Sequence, residues 1–317
     1  MSHAPKDTDT RLEPTPAFFA GGLAGGLALT CKALALRFGR VHALAGFDLN
    51  LAEGESVGLV GRNGAGKSTL FRCIVGTEVL DAGAIELPAG LSRVEFLSRV
   101  GFVPDTLSAY DWMSAGDAIA YVAALQPRFD SAWCAQLQRL LGIDRSAKVR
   151  DLSRGMQARL AFVLGLSHRP SLVLLDEPLL GVDAVTHDVV LETLARMRCE
   201  IGATMLIASH QLGDLARLTD RVVFVDRGKV IESVPTDELV TKTTRLHVHG
   251  VPRGWVPPPN LVHTRWLDDA AVLTIQGDVA VVEQRILSSH PNARIERVPL
   301  SIHEACADRL RGMEVLP

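Results

Sequence analysis

Residues 61–69, of sequence GRNGAGKST, have the types and spacing needed to bind phosphate groups. They fit the pattern G-x-x-x-x-G-K-[ST] and lie between a short apolar run, residues 57–60, and a stretch of helical composition. Glycines let the backbone turn its N–H groups toward a phosphate, and a helix N-terminus adds partial positive charge there. Lys67 would contact the β- and γ-phosphates, and the Ser68 hydroxyl would bind Mg²⁺. We therefore predict a nucleotide site formed by Gly61, Asn63, Gly64, Ala65, Gly66, Lys67, Ser68 and Thr69.

A second candidate for chemistry is the acidic pair Asp176 and Glu177, which follows the apolar run LVLL at residues 172–175. Two acids at a strand end are weak evidence alone. Here Asp176 follows Lys67 by 109 residues within the same alternation of apolar runs and helical stretches. Asp176 would belong to the ligand shell of Mg²⁺, and Glu177 would act as the general base toward an attacking water.

The elements that must position these motifs suggest an α/β protein. Residues 27–240 alternate short apolar runs with helical stretches, which predicts a mainly parallel sheet covered by helices. Residues 109–165 are interpreted as an inserted helical subdomain. The proline-rich piece at residues 256–260 lies within residues 241–317, for which we predict a small α+β accessory domain. Residues 1–26 are predicted to be a flexible arm, with a peripheral membrane contact as the alternative.

Composition narrows the classes of protein. The chain has 317 residues, 47% of them hydrophobic and 22% charged, which is enough apolar side chain to exclude a disordered protein. Five cysteines without a CxxC pair indicate free thiols rather than a disulfide framework. A net charge of -3 disfavours nucleic acid as the main partner. The apolar stretch at residues 17–29 is shorter than the roughly 20 residues that a membrane span needs.

The segment LSRGM, residues 152–156, lies 20 residues before the run that ends in the acidic pair. With the two motifs above, it resembles the LSGGQ signature of the ATP-binding cassette (ABC) transporter ATPases. The resemblance implies a P-loop NTPase fold in which Ser153 and Gly155 face the γ-phosphate bound by a second monomer. Arg154 and Met156 depart from the signature. The Arg154 side chain would either add positive charge near the nucleotide or be solvated.

Other positions match further landmarks of this family. Phe38 stands where an aromatic ring stacks on adenine, although a core position at a strand end is the alternative. Asp183 resembles the acid of the D-loop at the dimer interface. His210 stands at the switch histidine that contacts the γ-phosphate. Asp105 occupies a position where the family often has Gln, and its carboxylate could still contact Mg²⁺-bound water.

The resemblance also implies partners and a role. The chain would bind and hydrolyse ATP with Mg²⁺ and power a membrane transporter through ATP-driven closure of a dimer. Its partners would be a separately encoded multi-span membrane subunit and a second ATPase copy, in a homodimer at the cytoplasmic face of the inner membrane. A heterodimer with a different ATPase is the alternative. No nucleic acid is expected. The motifs look similar to those of drug, antibiotic and sodium exporters. The alternatives are an importer ATPase, or a soluble ABC protein that acts on ribosomes or DNA.

Residues 109–113 would border the groove that receives the membrane subunit in this family. Exposed Tyr110, Trp112 and Met113 would suit such a contact. Alternatively, these side chains form the core of the helical subdomain.

Overall fold

The computed structural model describes most of the chain. The described residues are 28–210, 213–252, 255–258, 261–267 and 270–313. The arm predicted at residues 1–26 lies outside them.

The strands and helices alternate over the first two thirds of the chain. The strands are β1 (Leu29–Phe38), β2 (Val41–Leu51), β3 (Ser56–Val60), β4 (Ala82–Glu86), β5 (Val100–Val103), β6 (Leu172–Asp176), β7 (Thr204–Ser209), β8 (Arg221–Asp226), β9 (Lys229–Pro235), β10 (Thr243–His249), β11 (Leu261–Leu267), β12 (Ala270–Gln276) and β13 (Arg294–Val298). The helices are α1 (Lys67–Val75), α2 (Arg93–Ser98), α3 (Ala115–Leu125), α4 (Ser131–Leu140), α5 (Arg154–Leu166), α6 (Ala184–Ile201), α7 (Thr236–Thr241), α8 (Val279–Ser289) and α9 (Ile302–Met313).

A six-stranded sheet of order β5-β6-β7-β3-β8-β9 forms the centre of the fold. Its strands are parallel apart from the antiparallel pair β8–β9, which is joined at Arg227 and Gly228. Strands β3, β6 and β7 are buried along their whole length. Continuous apolar runs are typical of parallel strands covered on both faces, so the predicted α/β class is confirmed.

A three-stranded antiparallel sheet, of order β2-β1-β4, packs beside the central sheet. The sequence patterns did not predict it. Buried residues of β1 and β2, such as Leu34 and Phe47, share one apolar cluster with Leu59 of β3 and Phe71 of α1. This packing holds the end of β1 and the start of β2 next to the phosphate loop.

Helices α3, α4 and α5 form the insert between β5 and β6. Helix α3 begins with a capping box in which the Ser114 hydroxyl accepts from the Asp117 N–H and the Asp117 carboxylate accepts from the Ser114 N–H. Trp133 of α4 is 4% exposed and donates its indole N–H to the carbonyl of Leu166 at the end of α5. The insert therefore packs around its own apolar side chains and onto the central sheet.

A four-stranded antiparallel sheet of order β11-β12-β10-β13 follows in the last third of the chain. Together with the helices α8 and α9, it belongs to residues 241–317, for which the sequence predicts a small α+β domain. Strand β11 was not predicted. Strand β11 carries no burial alternation, since six of its seven residues are half-buried. Strand β10 includes a buried arginine, Arg245, which is unusual for a core position.

Helix α9 contacts both the central sheet and the C-terminal sheet. Arg309 is 3% exposed, lies over the Phe224 ring of β8 at 5.8 Å, and pairs with Glu232 of β9 at 3.1 Å. Asp308 is 1% exposed and binds Arg245 of β10 at 2.6 Å. The helix is thus an ionic and apolar clamp between the two sheets.

The Asp308→Asn variant tests this clamp. We expect the free energy of unfolding to fall by about 3 kcal/mol, because one partner of a buried ion pair is removed. Asp308 also accepts from the Thr274 hydroxyl at 2.6 Å, so the substitution alters a second buried contact. Urea denaturation measures the change. The control is Arg311→Ala: Arg311 is half-exposed and contacts Asp308 at 3.0 Å, so its loss should cost less than about 1 kcal/mol. Equal effects of the two substitutions would contradict the buried clamp.

Within the described residues, every helix is too short or too polar to cross a membrane.

Candidate functional site

Four loops meet at the carboxyl ends of neighbouring parallel strands. The order β5-β6-β7-β3 places the segments after these strands side by side. They carry Asp105 after β5, Asp176 and Glu177 at the end of β6, His210 after β7, and the phosphate loop after β3. Ligands bind outside the carboxyl ends of strands in open α/β sheets, so the topology itself collects these side chains.

The phosphate loop contacts neighbouring backbone so closely that glycine is required at two positions. Gly66, at the start of α1, has φ +106°, and a Cβ there would lie 2.4 Å from the Ala43 carbonyl oxygen. A Cβ on Gly61 would lie 2.4 Å from the Val225 carbonyl oxygen. The N-terminus of α1 thereby stays open toward the cleft, with its N–H groups directed at a phosphate.

A cleft of about 470 Å³ lies above this loop. It is lined by residues 63–69, Asp105, Asp176, Glu177 and His210 from the predicted set. Gly61 is placed behind the loop, against β8, and does not line the cleft.

Lys67 is 7% exposed and points back into its own loop. Its Nζ donates to the carbonyl oxygens of Gly61 at 2.6 Å and Arg62 at 3.2 Å. Burial lowers the pKa of Lys67, and the nearby charges of Glu177 and Asp176 oppose that shift. A triphosphate would supply the full negative charge that this ammonium group lacks in the described contacts.

Asp176 is the most deeply buried acid of the cleft, at 3% exposed. Burial raises the pKa of its carboxyl, and a hydrogen bond from Ser68 opposes the shift. Its Oδ1 atom is buried and has no hydrogen-bond partner among the residues that the structure describes. A buried carboxylate oxygen without a donor is suited to a cation or to a water bound to one.

Glu177 and His210 form a pair beside this carboxylate. The backbone N–H of His210 donates to Glu177 Oε1 at 2.9 Å, and His210 Nδ1 lies 2.9 Å from Glu177 Oε2. The Ser209 hydroxyl also donates to Oε2, at 3.2 Å. Glu177 has φ +48°, a conformation that is strained for a non-glycine residue. The backbone turn after β6 therefore directs this side chain toward the end of β7.

Besides Gly61, four predicted residues lie outside the cleft lining. Phe38, at the end of β1, is 45% exposed and is not a core residue. The exposed Ser153 caps α5, and its hydroxyl accepts from the Met156 N–H at 3.3 Å. A Cβ on Gly155 would lie 2.9 Å from the Gly181 carbonyl oxygen.

Asp183, the fourth of these residues, caps helix α6. Hydrogen bonds from the backbone and hydroxyl of Thr186, and an ion pair with Arg159 of α5 at 2.5 Å, lower the pKa of Asp183 to about 2. The carboxylate is therefore charged at neutral pH and ties the start of α6 to the signature helix α5.

Four residues that line the cleft were not predicted from the sequence: Val41, Ala43, Arg72 and Leu180. The sequence could have indicated Arg72, because it lies four residues after Ser68 and therefore on the same face of α1. Val41 and Ala43 had none, since they belong to β2, whose position follows from sheet packing.

Similarity to known proteins decides the family. The sequence pattern of the ABC transporter family matches residues 44–180, which include the phosphate loop and the acidic pair. The ABC transporter ATP-binding protein YtrB of Bacillus subtilis (strain 168) is 32% identical over 210 residues, 65% of this chain and 72% of YtrB. The chain belongs to the ABC transporter ATP-binding family. This ABC subunit is therefore an ATPase that serves a transporter.

Relatives of the ABC subunit include one protein named for import and one named for linearmycin resistance. The aliphatic sulfonates import ATP-binding protein SsuB 2 of Xanthomonas axonopodis pv. citri (strain 306) is 32% identical over 210 residues, 65% of this chain and 70% of that protein. The linearmycin resistance ATP-binding protein LnrL of Bacillus subtilis (strain 168) is 29% identical over 202 residues, 61% of this chain and 65% of LnrL. Family membership alone therefore leaves the direction open.

The fold of the ABC subunit is that of solved cassettes. The dimeric ATP-binding cassette MJ0796 in a post-hydrolysis state with ADP and Pi superposes with a TM-score of 0.59 at 21% identity. The match covers 66% of this chain and 98% of the cassette. This likeness establishes the P-loop NTPase fold that the motifs predict.

Proposed function

We propose that the ABC subunit hydrolyses MgATP in a homodimer and powers an exporter through a separately encoded membrane subunit at the cytoplasmic face of the inner membrane. One observation carries the chemistry: Lys67, Ser68, Asp176, Glu177 and His210 line a single cleft at the open end of α1. These side chains come from three strand ends and supply a phosphate ligand, cation ligands and a paired base.

The residues that would hold Mg²⁺ are Ser68, Asp176 and Asp105. The buried, unpartnered Oδ1 of Asp176 fits a cation or its bound water. The Ser68 hydroxyl forms a hydrogen bond with the Asp176 carboxylate, so the side-chain oxygens of both residues lie close enough to share one cation. When bound, the cation neutralises charge on the β- and γ-phosphate oxygens.

Glu177 would take the proton of the attacking water. In the structure its two carboxylate oxygens accept from the His210 backbone and Ser209 hydroxyl and contact the His210 ring. One oxygen must exchange such a contact for water before it can accept a proton. His210 would turn from Glu177 to the γ-phosphate, which couples nucleotide binding to release of the base.

Ser153, Gly155 and Asp183 would act on the nucleotide of the partner subunit. They lie apart from the cleft of their own chain, and Ser153 and Asp183 are exposed. Ser153 is at the N-terminus of α5, where a helix favours an anion. Two copies placed head to tail would thus complete two sites, with Phe38 of β1 stacking on adenine. ATP closes the pair by its higher affinity for the closed state.

The membrane subunit would contact the segment before α3. Tyr110 and Trp112 are 61% and 65% exposed and stack with ring centroids 5.7 Å apart, whereas Met113 is 8% exposed and belongs to the core. Aromatic residues such as tyrosine and tryptophan are enriched at protein–protein interfaces. The two aromatic rings therefore support the docking interpretation, and Met113 supports the alternative that the segment contributes to the core.

Similarity to LnrL, which is named for linearmycin resistance, supports export, while similarity to SsuB 2, which is named for import, keeps the importer as the alternative. The net charge of -3 argues against the ribosome or DNA as the partner, because proteins that bind nucleic acid usually carry a basic surface.

Affinity purification from detergent-solubilised membranes tests the partner. Tagged Glu177→Gln chain with ATP and Mg²⁺ is expected to recover a multi-span protein in stoichiometric amount. The variant that also carries Trp112→Ala should recover less than about a tenth of it, because the central aromatic contact is lost. Recovery of ribosomes, or of soluble dimer alone, would refute the transporter partner.

Reconstitution of the recovered complex tests direction. In vesicles with the ATPase outside, an exporter accumulates its substrate in the lumen when ATP is added outside. An importer would instead empty preloaded vesicles.

A further inference from the structure

The nucleotide cleft holds more negative than positive side chains. Its charged residues, apart from His210, are Lys67, Arg72, Asp105, Asp176 and Glu177. Three carboxylates face two cationic groups, which leaves one net negative charge. This is an unfavourable environment for a triphosphate, which itself carries several negative charges.

Asp105 supplies one of the three carboxylates that give the cleft its net negative charge. It follows β5, where Val103 pairs with Leu175 of β6, so the two strands end side by side and Asp105 and Asp176 emerge at the same edge. The charge of Asp105 raises the pKa of Asp176, which agrees with this proximity. The Asp105 side chain is exposed, so its replacement by an amide should leave the packing around the cleft unchanged. An amide at this position would leave the cleft without net charge.

We propose that Asp105 makes nucleotide binding conditional on a divalent cation: its carboxylate repels cation-free ATP and accepts the cation complex. The inference rests on the proposed function of this cleft and adds a selection among forms of the nucleotide. The Asp105 carboxylate repels ATP most strongly when no cation is bound to the phosphates. A bound cation would offset part of the negative charge of the carboxylates and of the phosphates, and so would reduce this repulsion.

Calorimetric titration of ATP tests the proposal, once with Mg²⁺ and once with EDTA in its place. Asp105→Asn is expected to bind cation-free ATP about tenfold more tightly than the unchanged chain, since one nearby like charge is removed. Its affinity for MgATP should fall less, by about threefold, because the amide oxygen of asparagine can still contact the cation or its bound water. The ratio of the dissociation constant for cation-free ATP to that for MgATP therefore falls by at least about an order of magnitude. Asp105→Gln, with the longer amide, should behave in the same way.

Glu53→Gln is the matched control, because it removes one exposed carboxylate that lies outside the cleft. Its ratio should equal that of the unchanged chain. An unchanged ratio in Asp105→Asn would overturn the proposal. So would a ratio that falls only because MgATP binds more weakly, since Asp105 would then be a cation ligand without repelling free ATP.

Failure of this proposal is distinguishable from failure of the function on which it rests. If the unchanged chain binds ATP with Mg²⁺ and Asp105→Asn leaves the ratio intact, the ATPase site stands and the role of Asp105 fails. If the unchanged chain binds no nucleotide under either condition, both fail.

Discussion

Glu177→Gln is expected to lower the rate of ATP hydrolysis by about 10²–10⁴-fold, the range for loss of a general base. Nucleotide binding should persist, because the amide keeps the size of the side chain and the phosphate ligands are untouched. The variant should also accumulate as a dimer with ATP and Mg²⁺, since the step that reopens the pair is blocked. Phosphate release measures turnover, and size-exclusion chromatography with ATP measures the dimer.

Glu200→Gln is the control for this result. Glu200 lies near the end of α6, is exposed, and is outside the cleft. It should hydrolyse ATP at the rate of the unchanged chain and form no trapped dimer. Turnover of Glu177→Gln within about threefold of the unchanged chain would remove Glu177 from the role of base.

Lys67→Ala is expected to weaken ATP binding by about a thousandfold, equivalent to roughly 4 kcal/mol, because the buried charge opposite the phosphates is lost. The described contacts of Lys67 are two carbonyl oxygens of its own loop, so a bound triphosphate would provide its principal anionic partner. Titration with a fluorescent ATP analogue measures the loss.

Lys242→Ala serves as the matched lysine. It is 55% exposed at the end of α7 and pairs with Glu238, away from the cleft. Its ATP affinity should not change. Thermal unfolding of both variants checks that the fold is retained. If Lys67→Ala bound ATP as tightly as Lys242→Ala, the phosphate-loop assignment would be wrong.

The pieces of the site that are local in sequence could be predicted. The glycines of the phosphate loop, Lys67 and Ser68 form one continuous motif, and the acidic pair directly follows a buried strand. In both cases the conformation is set by neighbouring residues. The third landmark, His210, depends in the same way on the strand before it.

Contacts between distant segments could not be predicted. The pairing of Glu177 with His210 joins residues 33 positions apart, and the Ala43 carbonyl that excludes a side chain at Gly66 belongs to another sheet. The sheet of β1, β2 and β4 was not predicted from the sequence, and neither was β11. From the sequence, the arginine of β10 would be expected at the surface. It is buried because it pairs with Asp308 of α9, which is far away in the sequence.

The amino-acid sequence by itself therefore determined the family, the parallel-sheet class and the residues that handle phosphate, because these follow from local motifs with a required backbone. The tertiary structure decided which carboxylates share the cleft, how Glu177 is held by His210, and how α9 ties the C-terminal sheet to β8 and β9. Those features depend on distances between segments far apart in the chain, and such distances exist only once strand order and packing are established.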